Sequence, residues 1–227
     1  MTNWLNTSAF TSLGLQVVAG LIEIWGLSFP VSEKDLLVRD VLVAEVWIEV
    51  VEFIFYSYLV GLIIFSKVPL SITSQRYIDW LITTPFMLIN FAFFFMYRNN
   101  KHQGKRYTEL LRQEAPTLIK ILVANFLMMA CGLLGELGIL DQCLSTGLGF
   151  IPFTYIFIQL YSNYVGKEDQ LSLTLFYIVF AIWGSYGVGA ILPFAAKNTC
   201  YNILDLFAKN AFGVFVSFYI AGMQRSL

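Results

Sequence analysis

Charge is scarce in this chain of 227 residues: Asp, Glu, Lys and Arg together make 13%, and there is a single histidine. A soluble domain carries roughly 25% charged residues, so a soluble globular protein is excluded. The 14 basic residues nearly balance 15 acidic ones, and no basic block is dense enough to track phosphates, which excludes nucleic acid as a partner. Three cysteines (Cys131, Cys143 and Cys200) are too few for a disulfide framework and lack metal-ligand spacing; a Cys143–Cys200 bridge is left open. The sequence has no nucleophile with a base, no metal cluster and no phosphate loop, so an enzyme is not expected. Repeats and low-complexity tracts are absent as well.

What the chain does have is apolar length: 58% of residues are hydrophobic and 17% aromatic. A helix crossing about 30 Å of hydrocarbon needs about 20 mostly apolar residues. Seven stretches qualify, at 10–29, 41–65, 75–97, 117–140, 144–164, 171–195 and 199–223. They predict an all-α, seven-transmembrane-helix bundle, one domain over 1–227, integral to a lipid bilayer. Continuous runs such as 171–195 exclude the alternating strands of a membrane β-barrel. Arg98, Lys101, Lys105, Arg106 and Arg112 fall in the third-to-fourth loop and Arg225 in the carboxyl tail. The positive-inside rule then puts the amino terminus outside and the carboxyl terminus in the cytoplasm. Met1 to Phe10 has no positive n-region, so an uncleaved first helix is expected.

Ionisable residues inside spans cost roughly 2.5–3.5 kcal/mol each on insertion scales and mark function. Glu45, Glu49 and Glu52 fall within a sector of about 60° on the second span, so they must face protein or water, or be protonated. The last span carries Asn198, Asn202, Asp205 and Lys209 on one such face, and the third carries Arg76, Asp79, Thr83 and Asn90. The first adds Ser12, Gln16 and Glu23. Four helices thus each turn a polar face inward, as around a wet interior.

Two segments are more specific. Arg76-Tyr77-Ile78-Asp79-Trp80-Leu81-Ile82-Thr83-Thr84-Pro85 and Leu204-Asp205-Leu206-Phe207-Ala208-Lys209 resemble the third and seventh helices of microbial rhodopsins, and the resemblance extends over the whole chain. It implies all-trans retinal, bound as a protonated Schiff base on Lys209, with Asp79 and Asp205 as counterions and Arg76 balancing the second carboxylate. By the same resemblance Trp80, Thr84, Met87, Met128, Gly132, Trp183 and Tyr186 contact retinal, with Asn125 on the same face of the fourth helix. Apolar Met87 resembles green-absorbing members. Gly187, where many relatives have proline, is expected to loosen the sixth helix.

Outward pumps of the family keep a carboxylic acid eleven residues after the acceptor, where this chain has Asn90. The chain is most similar to the first group of viral rhodopsins, which implies a host cell membrane if the chain is viral, and a light-gated cation channel. Their pathway residues match Ser12, Gln16, Glu45, Glu52, Asn202 and Asn210, with Glu49 an additional acid on the stripe. Such oxygens suit monovalent cations or calcium. A slow outward proton pump or a photosensor is the alternative, and a homo-oligomer is left open. Glu52, as a pathway residue, is expected to influence conductance and leave colour nearly unchanged. His102 and the basic loop are expected to be solvent-exposed, the loop serving topology, with Glu136 and Asp141 as interfacial charges.

Overall fold

The computed structural model describes residues 3–65, 67–69 and 71–223; Met1 and Arg225 lie outside them. Among the described residues, seven helices are long and apolar enough to cross a membrane: Trp4–Leu27, Glu33–Ile64, Ile72–Arg98, Ala115–Glu136, Gln142–Asn163, Gln170–Ala190 and Phe194–Met223. Each packs on its chain neighbours, and the seventh closes the ring against the first and second. Side chains such as Trp47, Ile151 and Val188, each more than 60% exposed, cover the outside. This is the apolar surface that a bilayer, not water, satisfies.

The third span is the hub. Its most hydrophobic stretch is 72% buried, against 17% for the sixth. Phe91 to Met96 are at most 3% exposed, so this stretch of the helix is apolar around its whole circumference, as an enclosed segment must be. Edge-to-face contacts of Phe91 and Phe94 with Phe212 tie it to the seventh span, at centroid distances of 4.6 and 5.7 Å. Contacts of this kind add about 0.5–1.5 kcal/mol each beyond their buried area.

Some expected boundaries move. The sixth span ends at Ala190 and the seventh begins at Phe194, with Pro193 in the capping position before it. Lys197, outside the expected 199–223 stretch, therefore lies inside the seventh span. That span is α-helical over Phe194–Asp205 and Ala211–Met223, with a π turn at Leu206–Asn210 between them. Wide turns of this kind cluster at functional sites, and this one carries Lys209. The sixth helix runs unbroken through Gly187, where a Cβ would come within 2.5 Å of the Phe150 ring; the glycine serves close packing. The basic loop contains an unexpected short helix, Tyr107–Gln113. His102 is 6% exposed, not solvent-facing, and all three cysteines are free.

Candidate functional site: a buried amine between a polar seam and an apolar slot

Lys209 is 2% exposed. Its Nζ donates to Asp79 Oδ2 at 2.5 Å and lies 3.9 Å from both Asp205 Oδ1 and Glu52 Oε1. Asp205 is held from four directions. It accepts from Tyr56 Oη at 2.9 Å, Trp80 Nε1 at 3.2 Å, Tyr186 Oη at 2.7 Å and Arg76 Nη1 at 3.3 Å. Arg76 is fully buried and also donates to Asn198 Oδ1 at 3.1 Å and to Asn202 Oδ1. Its guanidinium sits over the rings of Phe55, Tyr56 and Tyr201 at 5.4 to 6.0 Å. Charges this deep persist only when paired and hydrogen-bonded, and here two cations face three carboxyl groups.

Glu52 is thus next to the amine, a placement that its position on the acidic stripe did not reveal. Tyr56 was missed as well. It stands one turn beyond Glu52 on the same helical face, so extending the stripe by four residues would have found it.

On one side of Lys209 opens a slot with a mostly apolar lining, the kind of lining small-molecule sites have. Trp80, Thr84, Met87, Met128, Gly132, Trp183 and Tyr186 all line it, together with Tyr77, Phe153 and Tyr201. A Cβ at Gly132 would lie 2.5 Å from Tyr77 Oη, so glycine there makes room for the tyrosine in the wall. Thr84 donates to the Trp80 carbonyl and accepts from Asn125 at 2.9 Å. An apolar slot ending at one amine fits a long conjugated aldehyde.

On the other side runs a seam of buried polar groups. Ser12 donates to the Asn202 carbonyl at 2.7 Å, and Asn202 Nδ2 donates to Ser8 at 2.8 Å. Asn210 Nδ2 donates to Glu49 and, at 3.3 Å, to Glu52. Glu45 accepts from Asn90 Nδ2 at 2.6 Å. Gln16 is buried with neither amide atom hydrogen-bonded, and one oxygen each of Glu23, Glu49, Glu52 and Asp79 also lacks a hydrogen bond from the protein. A Cβ at Gly213 would fall 1.9 Å from Glu23 Oε1, so glycine there is what admits the Glu23 carboxyl.

Outside the seam, several charges have defined partners. Lys197 reaches Glu136 at 2.6 Å, and Asp141 caps the fifth span through the amides of Cys143 and Leu144. Asp169, before the sixth span, accepts from Arg98 at 2.7 and 3.0 Å, and these bonds hold its carboxyl down to about 2.

Seven membrane helices thus surround a lysine ringed by carboxyl groups at the end of an apolar slot. Comparison agrees: residues 4–223 match the family model described as bacteriorhodopsin-like protein. The chain belongs to this microbial rhodopsin family, a membership that implies a retinal chromophore and an integral multi-pass membrane protein. It is similar to the green-light absorbing proteorhodopsin of Gamma-proteobacterium EBAC31A08, 26% identical over 160 residues, which are 63% of this chain and 59% of that one. Among solved structures it is similar to the viral rhodopsin OLPVRII, with TM-score 0.84 and 26% identity over 96% of this chain and 98% of that one. The blue light-absorbing proteorhodopsin from Med12 shares the fold, with TM-score 0.75 and 24% identity over 98% and 100% of the two chains.

Proposed function

We propose that this protein is a light-gated cation channel, its amino terminus outside and its carboxyl terminus in the cytoplasm, with residues 1–227 forming one retinal-binding domain. Bound to Lys209 as the all-trans isomer, retinal supplies light absorption and a change of shape at the end of the slot. Asp79 and Asp205 hold the positive charge at that amine, and Arg76 holds Asp205. Trp80, Thr84, Met87, Met128, Gly132, Trp183 and Tyr186 confine the slot and keep water out of it.

The observation that carries the channel reading is the seam itself. Hydrogen bonds or single helical turns link Ser12 and Asn202, through Arg76 and Asp205, past Lys209 to Glu52, Asn210, Glu49 and Glu45. Several of its carboxyl and amide oxygens receive no hydrogen bond from the protein, and hard cations and water can satisfy such oxygens. Movement of the π turn at Lys209 shifts Asn210 and releases Glu49 and Glu52, opening the middle of the seam.

One contact favours an outward proton pump instead. Asn90 stands where pumps keep a carboxylic acid, but its amide holds the Glu45 carboxyl at 2.6 Å, which restores an acid at that depth. Whole-cell recording under green light separates the two. A channel gives a photocurrent that reverses sign when sodium, potassium or calcium gradients reverse the driving force. A current that stays outward through every voltage and gradient establishes the pump.

A further inference from the structure

We propose that Arg106 and Tyr107, in the loop between the third and fourth spans, form a latch that seals the loop-side end of the polar seam. The basic loop reads in sequence as a topology signal, yet the structure sends one of its side chains inward. Tyr107 Oη donates to Asn90 Oδ1 at 2.7 Å, and Asn90 Nδ2 donates in turn to Glu45 at 2.6 Å. Two hydrogen bonds therefore join a loop residue to a carboxyl group that is 2% exposed inside the second span.

The latch is fixed from three sides. Arg106 Nε and Nη2 each donate to Asp40 at 2.6 Å, the two-pronged geometry that makes an arginine–carboxylate pair directional. The Tyr107 ring meets Phe93 edge to face at 4.8 Å. Leu110, one turn along the short helix, is fully buried in the main core. Arg106 sits at the start of that helix, where Glu109 accepts from its backbone amide at 2.9 Å. Asp40 and Glu45 lie on one helix, so the latch spans the last stretch of second span between the seam and solvent. Asn90 is the shared joint: its oxygen is held by the loop and its amide holds the acid. Tyr107 and Arg106 are positioning residues, and Glu45 is the group they shield.

The meaning of the latch for ion or proton flow rests on the reading of Glu45 as a pathway residue; the seal itself is tested without flow. Val41, one turn from Glu45 toward the loop end and fully buried, is replaced by cysteine in a background with Cys131, Cys143 and Cys200 removed. Labelling by a charged, membrane-impermeant thiol reagent added on the loop side is then timed in the dark. Tyr107→Phe keeps the ring and loses one hydrogen bond of about 1 kcal/mol, so labelling rises about fivefold. Arg106→Gln raises it by up to about fivefold, and the exchanged pair Asp40→Arg with Arg106→Asp brings the rate back toward the parent's. Formation of the visible pigment band certifies that each variant is folded. Unchanged labelling in both Tyr107→Phe and Arg106→Gln pigments overturns the latch. Absence of photocurrent in parent and variants alike, with labelling still accelerated, overturns the channel reading and leaves the latch standing.

Discussion

The two halves of the bundle solve opposite problems. Spans one, two, three and seven bury Glu23, Glu45, Glu49, Glu52, Arg76, Asp79, Asn90, Asn198, Asn202, Asp205 and Asn210, whereas spans four, five and six bury only Asn125, Ser145 and Ser172 among the polar residues described. The first half is a charged interior that stays folded through pairing. The second is an aromatic and methionine wall along the apolar slot. Lys209 stands on the border, so any movement at the end of the slot acts directly on the charged side. In the proposed function the polar seam is the pathway, the apolar slot the binding site, and their junction the switch.

The strongest way to break this division is to unpair the seam where four donors converge. Asp205→Ala leaves Arg76 buried without its carboxylate, and losing one partner of such a pair costs about 3–5 kcal/mol. The expected result is a large drop in the thermal midpoint of the detergent-solubilised protein, whereas Ser172→Ala in the second half costs little. Gly213→Ala comes next. Its new methyl meets the Glu23 carboxyl, an overpacking worth about 1–3 kcal/mol, and Glu23→Ala in the same chain recovers most of the loss in the same melt.

Colour sharpens the comparison further. Removing negative charge beside a positive amine shifts absorption to longer wavelength, and the field falls with distance. Asp79→Asn, at 2.5 Å, is expected to move the band more than Glu52→Gln, at 3.9 Å. The reverse ranking would contradict the assignment of Asp79 as the amine's main partner. The smallest effect lies outside the membrane, at Asp169. Its carboxyl is held down by Arg98, so this pair stabilises the fold fully above about pH 4 and loses its contribution as pH falls toward 2. The pair is partly solvated, so Asp169→Asn should cost at most about 1 kcal/mol at pH 7 and flatten the acid limb of a pH–stability curve.

The seven spans were legible because hydropathy and length alone decide what crosses a bilayer. So were the polar faces, since helical periodicity fixes which residues point together. Depth was not legible: a projection cannot say that Glu52 reaches the level of Lys209, which depends on how the second and seventh helices slide against each other and on the π turn. Nor did periodicity reveal Tyr107, because loop charges announce topology and hide tertiary contacts. The Asn90–Glu45 bond was invisible for a related reason. A missing acid on one helix was read from that helix alone, while the carboxyl came from its neighbour. His102 was misread by residue type, since packing overrode its polarity.

The account rests on the seam and the slot meeting at Lys209. Visible absorbance after incubation with retinal tests this most directly, comparing the parent with Lys209→Ala shown to be folded by size exclusion. The parent should form a stable visible band and the variant none. A full band in the variant, or a colourless parent, would contradict it.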